Sequence, residues 1–313
     1  MIRDTLPKPK QKYKVCNWKQ YNECLKRRGD LTIWMSDEVA KSWMYEGKRE
    51  RGGKKIYSEL AIQTCLIIRK VYHLPLRQTQ GMMKSVVRIM RIQWPIPDYS
   101  TLSRRAAGLK IPLAPGQSGI HLVLDSTGLK VYGEGEWKVR MHGWNKHRTW
   151  RKLHLGINRE TQEIVMQLLT PHTVDDAEAA LTLMKGNKTT INGFTGDGAY
   201  DKSKLRKQLH QQRIIPIIPP QHNALISDGS KEEIKSRDDD IRRIKEVGRT
   251  QWKQETNYHK RSRVEVAMFR YKTIIGGKLK SRKDENQLTE ARIGCWILNK
   301  MITIGMPISK KVA

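Results

Sequence analysis

At 313 residues the chain has room for one sizeable core with one or two smaller units, since single domains usually run to roughly 100–200 residues. Its 60 lysines and arginines against 31 acids leave a net charge of +29, distributed from end to end, and such a potential draws in polyanions. Nucleic acid is the partner this favours, against an RNA-packing role or a merely solubilising surface. Cys16, Cys24, Cys65 and Cys295 form no CxxC pair, which argues against a zinc finger or disulfide framework and fits a reducing, cytoplasmic setting. The opening MIRDTLPKPKQKYK is charged where a signal peptide would be apolar, and no 18-residue apolar run occurs.

Residues 1–57 read as an N-terminal arm and short helices carrying Trp18, Tyr21, Leu25, Trp34 and Trp43, with Gly29 where a helix would stop. These aromatics are expected in a core. Residues 58–110 show helical periodicity in three segments, Leu60 to Val71, Leu76 to Met90 and Thr101 to Leu109, with Ser58, Pro75 and Ser100 near their starts. Arginines 77, 88, 91, 104 and 105 are expected to be exposed there, as on a helix-turn-helix that sets its last helix into a major groove or on a small bundle with a solvated basic face. Residues 111–118 have the proline and glycine of a linker. Beyond it, residues 119–307 alternate: strands at His121–Asp125, Trp150–Ile157 and Glu163–Leu169, a helix from Val174 to Met184, a strand at Ile191–Thr195, a helix from Lys202 to Gln212 and a strand at Ile214–Ile218. That order predicts an α/β domain with a mixed sheet. Residues 219–250 look like an insertion with a helix near Glu232 to Val247. Two long helices, Tyr258 to Ile275 and Gln287 to Ile304, would close the domain, and residues 308–313 form a tail.

Three carboxylates stand out. Asp125 ends the apolar run LVLD and is followed by Ser126, Thr127 and Gly128, expected to turn the chain; Asp197 follows the strand INGFT in GDGAYD, where flanking glycines allow close backbone approach. Each is also explicable as a turn-forming aspartate. Together they describe two carboxylates at the ends of two strands in one sheet, as two-metal phosphoryl transfer requires. Glu265 lies in YHKRSRVEVAMFRYK. On a helix with Tyr258 at zero, Arg261, Glu265 and Lys272 fall at about −60°, −20° and −40°, so all four polar residues share one face. Val264, Met268, Tyr271 and Ile275 form an adjacent apolar stripe. The plainer alternative for Glu265 is an i,i+4 surface pair with Arg261, contributing a few tenths of a kcal/mol.

The spacing of Tyr258, Arg261, Glu265 and Lys272 resembles, residue by residue, the Y-x2-R-x3-E-x6-K signature of a branch of bacterial insertion-sequence transposases of the DDE class. Asp125 in LDSTG and Asp197 in GDGAYD look like that family's other catalytic carboxylates, and LPLRQTQGMM and PDYSTLSRR are similar to the stretch preceding the catalytic domain in one subgroup. The resemblance spans about residues 15–307 and implies a ribonuclease-H-like catalytic fold, two Mg2+ or Mn2+ ions held by Asp125, Asp197 and Glu265, phosphate contacts from Arg261 and Lys272, and cleavage and joining of an element bounded by inverted repeats. It further implies double-stranded DNA as partner, both as transposon ends and as target, self-association in a synaptic complex, and a nucleoid-associated location. Tyr258, Arg104 and Arg105 join the DNA-binding candidates. Some members of the branch carry a β-strand insertion whose tryptophan stacks on a flipped base; here the corresponding stretch is charged, and Trp252 is either a stacking residue or core.

Other acids have plainer readings: Asp175 and Asp176 at a helix start, Asp201 as a cap for the helix after GDGAYD, Asp238 to Asp240 as a solvated run. His142, His147 and His154 lack a metal spacing, and no phosphate-binding GxxxxGK[ST] loop occurs. The rival functions are a nuclease of the same fold that cuts without joining, and a non-catalytic DNA-binding derivative.

Overall fold

The computed structural model describes residues 12–35, 37–48, 55–114, 118–131, 150–186, 189–227 and 232–312; His142, His147, part of the linker and part of the insertion lie outside them. A six-stranded mixed sheet forms the centre. Its strands are β2 (Ile120–Val131), β3 (Trp150–Asn158), β4 (Ile164–Pro171), β5 (Ile191–Thr195), β6 (Ile215–Ile217) and β7 (Lys278–Leu279), ordered β4-β3-β2-β5-β6 with β7 also against β2. Strands β2 to β4 pair antiparallel in succession, whereas β5, β6 and β7 join parallel. A short ribbon of β1 (Lys12–Val15) and β8 (Ser309–Val312) ties the arm to the tail.

The helices are α1 (Trp18–Arg27), α2 (Leu31–Trp34), α3 (Asp37–Lys41), α4 (Glu59–Val71), α5 (Leu76–Ile89), α6 (Tyr99–Arg105), α7 (Asp176–Lys185), α8 (Ser203–Gln211), α9 (Glu232–Glu255), α10 (Ser262–Arg270) and α11 (Asp284–Ile304). Ser58 caps α4 by accepting from Ala61 N, and Asp98, not Ser100, caps α6. Two apolar layers flank the sheet. Alternation along β2 sends Leu122 and Leu124 to the layer of α7 and α8, and Val123 to the layer that contains α4, α10 and α11. The second layer is continuous with the helices before the linker: Ile62, Leu66, Met83 and Leu102 share one cluster with Leu155, Val264 and Ile297. Trp34 and Trp43 are buried in it as expected, but Trp18 is 55% exposed, on a helix that buries no residue fully.

Several local expectations need correction. Strand β2 does not stop at Asp125 but runs on to Val131, since Ser126 to Lys130 continue the ladder with Trp150 to His154. Gly128 serves close packing rather than a turn, for a Cβ there would lie 3.1 Å from the Trp150 ring. The helix expected from Tyr258 to Ile275 is a 3-10 turn (Tyr258–Arg261), then α10, then a π turn (Tyr271–Gly276). Helix α9 extends past Val247 but breaks its geometry at Gly248, whose φ of 81° suits glycine. Among the described residues no helix is long and apolar enough to cross a membrane.

Candidate active site

Strand β2 shares one edge between two neighbours. β5 pairs with it up to Val123 and β7 from Lys130, so among the described residues the stretch between them has no strand partner on that side. Asp125 sits in this gap. Val123 is opposite Thr195 in the parallel pair; two residues further along each chain come Asp125 and Asp197, which therefore leave adjacent strands at the same level. Asp197 caps the 3-10 turn Gly198–Tyr200 by accepting from Ala199 N at 2.9 Å.

Helix α10 brings the third carboxylate. Val264, Ala267 and Met268 are buried against β2 and β3, and Tyr271 and Ile275 are buried beyond them, each large apolar side chain contributing about 1.5–3 kcal/mol. That anchored stripe fixes the neighbouring face, where Arg261 and Glu265 stand. Arg261 Nη1 donates to Asp125 Oδ2 at 2.7 Å, and its Nη2 pairs with Glu265 Oε1. The i,i+4 pair of the plainer reading thus exists, but as half of a bridge that also takes in the strand.

Burial pushes the Asp125 carboxyl above its ordinary range, and the charge of Asp197 adds to this, while Ser126 N and Arg261 oppose it. Burial works against the Arg261 charge, yet Tyr258, Asp125, Glu265 and Asp197 together raise its pKa. All three carboxylates act on one guanidinium. The Tyr258 phenol is likewise raised, by burial first and then by the same three acids, despite Arg261. Its ring leans on Trp252 at 5.9 Å.

The other candidates fall elsewhere. Lys272 is exposed in the π turn, where the winding differs from the ideal helix used to align it with Glu265. Arg104 is exposed on α6, whereas Arg105, expected on the surface, is half-buried and donates to Tyr57 O. Trp252 is 1% exposed, with Nε1 donating to Asp240 at 2.9 Å, so it is core. His154 is buried, bonded to Thr170 and pushed down to about 4 by desolvation, hence neutral at pH 7.

Three structural acids were misread from sequence. Asp175 does cap α7; Asp201 does not cap α8, whose N-cap is Lys202. Instead Asp201 takes Arg206 at 2.7 Å and Arg237 at 3.1 Å in a buried cluster. Asp238, expected in solvent, is 3% exposed and accepts from Ser227. Asp240 is held to about 6 by burial. Sequence reasoning also passed over Tyr200, a fully buried phenol whose hydroxyl lacks a hydrogen-bond partner among the described residues and whose pKa burial, Asp176, Asp125 and Asp197 raise well above normal. Its place in GDGAYD, three residues beyond Asp197, was the available signal.

Among the described residues no three His, Cys, Asp or Glu side chains surround a single point as a finished ion site. Asp125, Asp197 and Glu265 nonetheless suit a divalent cation. Their donors are all carboxylate oxygens, which match Mg2+ or Mn2+, and their fields converge where Arg261 now supplies the positive charge.

Carboxylates from two strands of a mixed sheet and from a packed helix thus gather around one cation. The chain belongs to the family described as "Transposase DDE domain": one family model matches residues 116–300 and a second of the same description residues 26–134. It is a DNA transposase, in a family that depends on divalent metal. Among solved structures, a piggyBac transposase synaptic complex with hairpin DNA aligns with 93% of this chain and 77% of its own, at 11% identity and a TM-score of 0.38.

Proposed function

We propose that this transposase belongs to the branch with the Tyr258, Arg261, Glu265 and Lys272 signature, binds the terminal inverted repeats of an insertion sequence, and both cuts and joins DNA at Asp125, Asp197 and Glu265. The observation that carries this is the bridge of Arg261 to Asp125 and Glu265, beside an Asp197 at the same level of the sheet. Two Mg2+ or Mn2+ ions would be held by Asp125 with Asp197 and by Asp125 with Glu265, supplying charge stabilisation at the phosphodiester and a more acidic water.

The chain's own groups do the rest. The sheet and the buried stripe of α10 hold the carboxylates in place without reorganisation, so positioning and preorganised charge carry the rate. Arg261, released from its carboxylates, takes a phosphate oxygen by a charge-assisted bond, while Tyr258 flanks it and Lys272, exposed on the π turn beyond α10, offers a separate cation to the DNA. Arg104, and Arg105 through its hold on Tyr57, serve DNA from the helical region 58–110. In the reaction water attacks phosphorus and the bond to the 3′ oxygen breaks, that oxygen taking up a proton; the freed 3′ hydroxyl then loses its proton and attacks a target phosphodiester in line, displacing the 3′ oxygen of the target strand, which is protonated in turn. Two ends meet in a synaptic assembly of several copies. With DNA as its substrate, the protein works at the bacterial nucleoid.

The test mixes full-length protein with end duplexes, supercoiled target DNA and either Mg2+, Mn2+ or chelator. Cutting and joined products that appear only with metal are expected. Metal-dependent cutting without joining would assign a nuclease instead, and binding with no cutting a DNA-binding derivative.

A further inference from the structure

A cleft of about 540 Å3 lies where α6 and the end of α4 face the connection between β7 and α11, and none of the three carboxylate residues lines it. Arg69, Arg104, Lys280, Arg282 and Lys283 line it, against the single carboxylate of Glu285. Nearby acids are already committed. Glu290 accepts from Lys70 Nζ at 2.8 Å and from the backbone of Lys280 and Ser281, and Asp284 pairs with Arg151. Among the described residues the positive charge of the cleft therefore has no internal counterion beyond Glu285. The Arg69 Nε is buried without a hydrogen-bond partner among the described residues, a donor normally satisfied in a finished site. Across the cleft Asn286 Nδ2 donates to Ser103 O at 3.0 Å, pinning α11 to α6 and holding the walls together.

We infer that this cleft is a second phosphodiester-binding site, gripping the backbone of duplex DNA apart from the carboxylate centre. Five cations converging from three segments cost Coulombic repulsion that an anion removes, and guanidinium forks suit phosphate oxygens in particular. Lys280 reports that repulsion: burial, then Lys70 and Arg69, lower its pKa. Duplex DNA is the source of phosphate because the cleft is an open seam on a chain of net charge +29 that belongs to a DNA-transposing family. The inference thus rests on DNA being the substrate.

The experiment measures the affinity of full-length protein for an end duplex and an unrelated duplex across a salt series. Arg282→Ala/Lys283→Ala removes two exposed cations and should leave the melting temperature unchanged. Affinity should fall on the order of tenfold for both duplexes, and the log–log salt slope should shrink by about 1.8, at about 0.9 per phosphate. The control Lys185→Ala/Lys207→Ala, on exposed positions of α7 and α8 across the sheet, should keep the parental slope. Equal slopes in parent and cleft variant, or an equal loss in the control, would overturn the inference. So would stabilisation of the parent, but not the cleft variant, by inorganic pyrophosphate while both bind duplex alike, since the cleft would then serve a small anion. A parent that binds duplex tightly but never cuts it would sink the proposed function and leave this slope comparison intact.

Discussion

Two ion clusters hang from the short segment of residues 196–201, and solvent separates their roles. On one side Asp197 stands with Asp125 and Glu265 around Arg261, whose side chains are 17%, 52% and 21% exposed for Asp125, Glu265 and Arg261. On the other, Asp201 and Arg206 are paired at 1% exposure each, and Arg237, itself 22% exposed, closes over Asp201. The chemistry of the groups is the same. A cluster sealed from water can only hold structure together, whereas one at the surface can exchange its arginine for a metal ion or a phosphate. The sealed cluster fastens α9 to the loop that carries Asp197, and Arg206 Nη2 extends the tie to Ile218 O at 3.1 Å.

Breaking the sealed cluster gives the largest stability effect. Arg206→Ala leaves the buried Asp201 carboxylate with Arg237 alone and should cost about 3 kcal/mol by denaturant unfolding, while Arg261→Ala should cost about 1 kcal/mol or less. Equal costs would erase the distinction. A smaller effect comes from Asp240, whose carboxyl, under the Trp252 indole, titrates near 6 because of burial. Its folded pKa lies above the usual aspartate value, so the native state binds the extra proton and stability falls as pH rises through about 4 to 6. Asp240→Asn should flatten that slope and raise stability at pH 7.5 by about 1–2 kcal/mol, the intrinsic figure being reduced by partial solvent screening. An unchanged profile would show that Asp240 is not buried as described.

What could be read in advance follows the range of the interactions. The stripe of Val264, Met268, Tyr271 and Ile275 was legible because periodicity is local, and all four are buried. The matched strands at Asp125 and Asp197 were legible for the same reason. The 3-10 and π turns that flank α10 were not, since neither has a distinct apolar period. Asp201 looked like a cap because the sequence places it just before α8; its partners are Arg206 inside that helix and Arg237 from a helix 36 positions away. Asp238 and Asp240 looked solvated because charge runs usually are, and only the fold brings Ser227 and Trp252 onto them. The extension of β2 beyond Asp125 depended on a ladder with β3 and on the Trp150 ring over Gly128.

The central claim is that Asp125, Asp197 and Glu265 hold the catalytic metal ions. Its most direct test is single-turnover cleavage of an end duplex in Mg2+ by Glu265→Gln, a change at a half-exposed carboxylate that spares the fold. The variant should bind DNA as the parent does and cut at least about a thousandfold more slowly, since losing a metal ligand removes several kcal/mol of charge stabilisation at about 1.4 kcal/mol per tenfold. Cleavage within a few-fold of the parental rate, with DNA affinity and melting temperature unchanged, would contradict the account.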